Sequence, residues 1–323
     1  MLNLSRLDPD FTDKVLAEPG GEHLFRCYSC GTCMSACLVK RYNEEFNPRR
    51  LIRMVALGLQ DKALANPTYW LCSACDACYE RCPQEIHISD VMKAVRTVAI
   101  REGYEPPFAT AEVDTVLCSG CSTCARVCPY EAIAMVEETQ NGEVHTVSSV
   151  DANLCMACGI CAATCPSLAI TAPDYSHLEV LTRLGAGGWL DAEFDETKLA
   201  VFVCNWSLRA EEDVALQDSF PSNVRVVNVP CSGRVDPLFL LFALRGGVDG
   251  ALVIGCRPGE CHFKEGNYIE HSRLSLLGTV LGQVGIDKRR VRFERLGAAD
   301  RGRFEQVVEG MLTDVAALNG GAS

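Results

Sequence analysis

Four cysteines stand in eleven residues at CYSCGTCMSAC, Cys27 to Cys37, and the same spacing of two, two and three intervening residues returns three more times before residue 170. The runs are Cys27-Cys30-Cys33-Cys37, Cys72-Cys75-Cys78-Cys82, Cys118-Cys121-Cys124-Cys128 and Cys155-Cys158-Cys161-Cys165. The last three continue into proline, at Pro83, Pro129 and Pro166, whereas the first meets Leu38. This is the spacing that [4Fe-4S] clusters require. Three thiolates three residues apart, on a loop around one corner of a cubane, reach three irons and leave backbone N–H groups free for the sulfurs. The fourth iron needs a more distant thiolate. Each run must therefore curl tightly and find its fourth thiolate elsewhere in the chain, which constrains the fold more than any other feature.

Rival uses of the 20 cysteines fit less well. The opening MLNLSRLDPDFTDKV has scattered charges and no apolar core of a secretory signal. The longest apolar runs, Leu238 to Leu244 and Ala251 to Gly255, are too short to span a bilayer. A cytoplasmic location without membrane insertion is the expectation, and thiol buffers there keep ordinary cysteine pairs reduced. A structural zinc needs only two C-x-x-C pairs, so the third and fourth cysteines of every run would be surplus. Thirty Lys and Arg against 42 Asp and Glu leave a charge of −12, which repels nucleic acid and anionic lipid. Basic spots at Arg49-Arg50 and Lys288 to Arg290 read as solvated faces.

The third and fourth runs belong to one duplication at an offset of 37 residues. AEVDTVLCSGCSTCARVCPYEAI, from Ala111, lies over SSVDANLCMACGICAATCPSLAI, from Ser148, sharing the Val-Asp lead-in, the Leu before the first cysteine, the proline and the closing Ala-Ile. This resembles a bacterial two-cluster ferredoxin domain, a strand, cluster loop and helix repeated once. The resemblance implies one cluster on Cys118, Cys121, Cys124 and Cys165, and a second on Cys155, Cys158, Cys161 and Cys128.

Between the first two runs, NPRRLIRMVALGLQDKALA reads as one long helix, with Asn47 as cap, Pro48 in the first turn and Leu51, Ile52, Val55 and Leu59 as an apolar stripe. A second helix follows the second run, with Ser89 as cap, Val91, Met92, Val95, Val98 and Ala99 on one face, and Gly103 at its end. Both stripes read as core packing. With CYSCGTC, NPRRLIRMVALGL and YWLCSACDACYERCP, this region resembles the C subunit of heterodisulfide reductase. That implies a helical module holding one cluster on Cys27, Cys30, Cys33 and Cys82, and its neighbour on Cys72, Cys75, Cys78 and Cys37. Leu38 departs from the family's usual proline without removing a ligand.

After Pro173 a Gly-rich linker, RLGAGGWLD, leads into strands alternating with helices. Lys198 to Cys204, Val224 to Cys231, Ala251 to Cys256 and Val291 to Leu296 read as buried parallel strands, and Asp236 to Arg245, Tyr268 to Val284 and Arg303 to Leu318 as helices. Cys204, Cys231 and Cys256 fall at the carboxyl ends of strands, where open α/β sheets place ligands, and Cys261 follows across CRPGEC. From position alone they are either a ligand set or small core residues. CNW at Cys204, PCSGRVDP and GCRPGECHFKEGN resemble the delta subunit of methyl-viologen-reducing hydrogenase. That implies a [2Fe-2S] cluster on Cys204, Cys231, Cys256 and Cys261, with Ser207 where a further cysteine is frequent. His262 reads as a structural group before a ligand, Trp70 and Trp206 as shields against water, and Arg234 and Arg257 as donors to sulfur or docking residues.

No dinucleotide fingerprint follows a strand, since GAGG at Gly185 lies in the linker, and no adjacent Cys-Cys pair occurs. The expected architecture is α+β and multidomain: a helical two-cluster module over 1–105, a ferredoxin domain over 106–173, a linker over 174–197 and an α/β domain over 198–323. The expected function is that of an electron-transfer protein with four [4Fe-4S] clusters and one [2Fe-2S] cluster, working inside a larger complex without a catalytic site of its own. The resemblances imply an electron-bifurcating flavoprotein partner like the A subunit of heterodisulfide reductase, a catalytic partner like the B subunit of that enzyme, and a hydrogenase, formate dehydrogenase or NAD(P)H oxidoreductase as donor. The alternatives are a redox sensor or scaffold with structural clusters, and a self-sufficient reductase of small disulfides.

Overall fold

A computed structural model of the chain describes residues 7–140, 142–208 and 216–320. The first stretch is helical: α1 (Pro9–Leu16), α2 (Thr32–Ala36), α3 (Leu38–Tyr42), α4 (Pro48–Ala56), α5 (Gln60–Leu64), α6 (Thr68–Leu71) and α7 (Ile88–Arg101). Asn47 caps α4 as expected, its side-chain oxygen accepting the Arg50 amide at 2.9 Å. The long helix expected to continue through Ala65 is instead broken into α4 and α5. Gly58 has a φ of 64°, and a Cβ there would stand 2.6 Å from the Asp8 carbonyl oxygen, so close approach of the chain ends α4. Ser89 is not the cap of α7, which starts one residue after His87; its hydroxyl is hydrogen-bonded to Asp76 in the second cysteine loop. Val91, Met92, Val95, Val98 and Ala99 pack with Leu51, Ile52 and Val55 in one core. Each large apolar side chain so buried contributes about 1.5–3 kcal/mol.

The ferredoxin region has the expected short strands, β1 (Glu112–Val113) pairing antiparallel with β4 (Ile170–Thr171), and one short helix, α8 (Thr123–Val127). It also carries an antiparallel hairpin, β2 (Ile133–Gln140) and β3 (Glu143–Val150), in register from Ile133 opposite Val150 to Gln140 opposite Glu143.

The segment expected as linker forms a helix, α9 (His177–Gly185), closed by a reciprocal bond pair between Ser176 and Glu179. Its Val180 and Leu184, with Trp189, are buried in the core of the α/β layer that follows. That layer runs β5 (Leu199–Cys204), β6 (Val224–Val229), α10 (Pro237–Arg245), β7 (Gly250–Gly255), α11 (Gly266–Gln283), β8 (Val291–Arg295) and α12 (Arg301–Gly320). The strands are parallel in the order β6-β5-β7-β8. Every residue of β5 and β7 is buried, because both faces are covered. Ala200, Phe202, Ala251 and Val253 join the core with α10 and α11, while Val201, Val203, Leu252 and Ile254 join the one with α12.

Two compact units result, one formed by the chain up to Phe108 together with His262–Lys264, the other by Ala109–Cys261 and the chain from Glu265 onward. Among the described residues no helix is long and apolar enough to cross a membrane.

Candidate iron–sulfur centres

All four cysteine runs adopt one backbone pattern. The residues on either side of the second cysteine have positive φ: Ser29 and Gly31, Ala74 and Asp76, Gly120 and Ser122, Ala157 and Gly159. Left-handed backbone costs an ordinary residue about 1–2 kcal/mol, so its recurrence at equivalent non-glycine positions marks a functional constraint. Such kinks turn successive N–H groups into a concavity suited to an anion, here the sulfurs of a cluster. After each Cys-Pro, Glu85, Glu131 and Leu168 repeat a positive φ. The next amide then donates to the cysteine: Ile86 N–H to Cys82 Sγ at 3.4 Å, Ala132 to Cys128 at 3.4 Å and Ala169 to Cys165 at 3.3 Å. At Cys37, where Leu38 replaces proline, α3 begins at once and the sulfur takes the amides of Lys40 and Val39.

Cysteines of different runs come together. Cys27, Cys30, Cys33 and Cys82 line one cavity, beside Tyr28 and Arg49. A second cavity is lined by Cys37, Cys72, Cys75 and Cys78, and by Cys33 as well. In the other unit, Cys161 lies within electrostatic reach of Cys155 and Cys128, and Cys124 of Cys118 and Cys121. Cys165 packs in the same small core as Cys124 and Cys128. Burial pushes the Cys33 thiol up to about 11 and those of Cys72 and Cys161 up to about 12, with neighbouring sulfurs adding repulsion. Left to themselves, thiols in such surroundings stay protonated; bound iron would supply the charge that makes four thiolates stable together. Exposure divides the sites, since Cys30 and Cys121 are exposed whereas Cys155, Cys158 and Cys161 are buried. Buried Arg96 donates to the Tyr69 carbonyl oxygen at 2.8 Å, lies over Trp70 and favours the Cys72 thiolate.

In the α/β layer Cys204 ends β5, Cys256 follows β7, and their sulfurs are 3.8 Å apart. These adjacent strands flank the topological switch point of the sheet. Cys231 lies within hydrogen-bond reach of Cys204 and Cys261, and Cys256 of the same two, so all four expected thiols converge. Their mutual bonds hold Cys204 well below the usual thiol range and Cys231 and Cys256 well above it. Backbone closes around them: a Cβ at Gly266 would overlap the Cys231 sulfur, and one at Gly233 would stand 2.9 Å from the Ile160 side chain. Asn267 ties the loop by donating to the carbonyl oxygens of Cys256 and Arg257 at 3.1 and 3.0 Å. Ser207 is buried with its hydroxyl on the Cys204 carbonyl oxygen at 2.8 Å. Four thiols with no other ionisable side chain among the expected ligands fit a small iron–sulfur cluster.

Arg257 is bound to Asp300, and Arg234 is wholly buried. Trp70 and His262 are both buried, at 5 % exposure. Among the described residues no group of three or more Cys, His, Asp or Glu side chains closes around a single metal ion. Sequence reasoning missed the repeated left-handed pairs, for which Gly31, Gly120 and Gly159 were the available signal.

Residues 199–319 match the family described as methyl-viologen-reducing hydrogenase, delta subunit, and residues 23–86 and 117–169 each match a 4Fe-4S dicluster domain family. The iron-sulfur D subunit of the F420-non-reducing hydrogenase of Archaeoglobus profundus is 43 % identical over 115 residues, 35 % of this chain and 84 % of that protein. The iron-sulfur D subunit of the F420-non-reducing hydrogenase vhc of Methanococcus voltae is 35 % identical over 129 residues, 39 % of this chain and 90 % of its own length. The C subunit of the H(2):CoB-CoM heterodisulfide,ferredoxin reductase of Methanothermobacter marburgensis is 36 % identical over 107 residues, 33 % of this chain and 57 % of that protein.

Proposed function

Because the chain belongs, through residues 199–319, to the methyl-viologen-reducing hydrogenase delta-subunit family, and adds two 4Fe-4S dicluster domains, we propose that it is a relay between partner proteins in a flavin-based electron-bifurcating complex. It carries electrons between a hydrogenase, formate dehydrogenase or NAD(P)H oxidoreductase, a flavoprotein like the A subunit of heterodisulfide reductase, and a terminal reductase like the B subunit. The reading is carried by one observation: sequences similar to the D subunit of a hydrogenase and to the C subunit of a heterodisulfide reductase occur in a single chain.

Four [4Fe-4S] clusters take Cys27, Cys30, Cys33 and Cys82; Cys72, Cys75, Cys78 and Cys37; Cys118, Cys121, Cys124 and Cys165; and Cys155, Cys158, Cys161 and Cys128. A [2Fe-2S] cluster takes Cys204, Cys231, Cys256 and Cys261. When bound, these groups supply one-electron carriers. The residues do the rest: paired αL kinks aim amides at sulfur, the buried thiols of the α/β layer exclude water, and exposed Cys30 and Cys121 bring two sites to the surface.

Replacing Cys256 with serine tests the path. Reduction of the N-terminal clusters by the physiological donor is expected to stop, while their reduction by dithionite persists. Donor-driven reduction that survives overturns the route through the α/β layer. Anaerobic isolation as a flavin-containing assembly supports the relay; turnover of a disulfide by the lone chain would favour a self-sufficient reductase.

A further inference from the structure

Arg234 is among the largest fully buried side chains and ends the turn Ser232–Arg234 that follows Cys231. Its Nε donates to the Tyr175 carbonyl oxygen at 2.8 Å, Nη2 stands 3.5 Å from His177 Nδ1, and the guanidinium covers the Phe239 ring at 4.9 Å. Nη1 has no hydrogen-bond partner among the described residues. An unpaired buried donor of this kind costs about 1–3 kcal/mol, more when charged, unless a ligand completes it.

The stem shows which ligand is near. A Cβ at Gly159 would stand 2.5 Å from Arg234 Cδ, so the arginine lies against the loop between Cys158 and Cys161 and requires the glycine there. Its charge is felt by Cys161. Asp236 offsets that charge, but its carboxylate already binds His177 Nε2 at 2.9 Å and the Leu238 amide at 2.8 Å. Arg273, the other charged neighbour, adds positive charge and reaches the turn between Cys161 and Cys165 by donating to Thr164 Oγ1 at 3.0 Å. Burial lowers Arg234 to about 10, so it remains protonated at neutral pH.

We propose that Arg234 is a positioning residue for the cluster of Cys155, Cys158, Cys161 and Cys128, its free Nη1 donating to cluster or cysteine sulfur and its charge favouring the reduced state. The inference rests on the iron–sulfur reading, but not on the identity of any partner. Positive charge and hydrogen bonds to sulfur raise a cluster's reduction potential. One side chain from the α/β layer thereby offsets part of the cost that the burial of Cys155, Cys158 and Cys161 sets on adding an electron to this centre.

The experiment is an EPR-monitored redox titration of the whole chain, prepared without oxygen, as wild type, Arg234→Gln and Arg234→Lys, with iron and sulfide counted in each. In Arg234→Gln one [4Fe-4S] signal is expected to move to lower potential, equivalent to at least a tenfold loss of its reduced form at fixed potential, with the other three unmoved. Arg234→Lys should recover part of the shift. If Arg234→Gln loses iron, the lysine variant carries the test, and a smaller downward shift of one [4Fe-4S] signal supports the proposal. Unchanged midpoints in a fully loaded variant overturn it. So does loss of iron from both variants, which makes Arg234 a packing residue. Loss of all iron–sulfur signals in the wild type would instead remove the underlying iron–sulfur reading.

Discussion

Gly266 sits where a β-carbon would occupy the space of the Cys231 sulfur, although its own backbone is helical. Gly266→Ala should therefore expel Cys231 from the thiol group; iron analysis is expected to fall by about two atoms per chain, with the [4Fe-4S] signals intact. Glu270, one turn further along α11, is fully buried, and burial holds its carboxyl up at about 8 despite the Arg273 guanidinium at 3.1 Å. From its ordinary 4.5 to about 8 the folded chain keeps a proton that the unfolded chain has released, so stability falls as pH rises through that window and levels off above it. In Glu270→Gln the anaerobic denaturation midpoint should show a flatter decline between pH 5 and 8; an unchanged slope would place the proton elsewhere. Neither role is legible in GECHFKEGNYIEHSR, where Gly266 looks like a turn residue and Glu270 like one of many surface carboxylates.

The cysteine loop is the element on which this chain is built, used four times with one set of dihedral signs. The first copy departs from the others only at its exit, where α3 takes the place of the Cys-Pro turn. Cys37 nevertheless has φ −76° and ψ 124°, the extended conformation that a following proline favours, and Leu38 occupies the first helical position, where proline is tolerated. Leu38→Pro is thus expected to retain full iron and to change stability by less than about 1 kcal/mol, checked by chemical denaturation. Loss of the Cys37-ligated cluster in that variant would mean that the Leu38 amide is essential. Helix ends were readable where a side chain makes the cap, as at Asn47, and unreadable where a distant backbone forces the break, as at Gly58 against Asp8. The hairpin β2–β3 had a readable sign in Asn141-Gly142 between two alternating stretches, though Asn141 itself lies outside the described residues. Helix α9 had one in Ser176 and Glu179, three apart before an apolar run.

For the whole chain, four cubanes and one two-iron cluster predict about 18 iron atoms per polypeptide prepared without oxygen. A metal assay near that value, with acid-labile sulfide to match, would agree; two or three zinc atoms and no sulfide would sink the iron–sulfur reading. We propose that the helical module ends near Phe108 and that the α/β domain begins with α9, since Val180 and Leu184 complete its core. The amino-acid order alone determined which residues are thiols, their local spacing and the alternation of strand and helix, because cluster loops and buried parallel strands impose short-range periodicity on a sequence. Only the tertiary structure decided why Gly266 and Gly159 lack side chains, and that Arg234 presents an unsatisfied donor beside the fourth cysteine loop. Those outcomes depend on contacts between segments tens of residues apart, where the packing of one backbone against another, and not any local pattern, fixes the space and charge that a side chain meets.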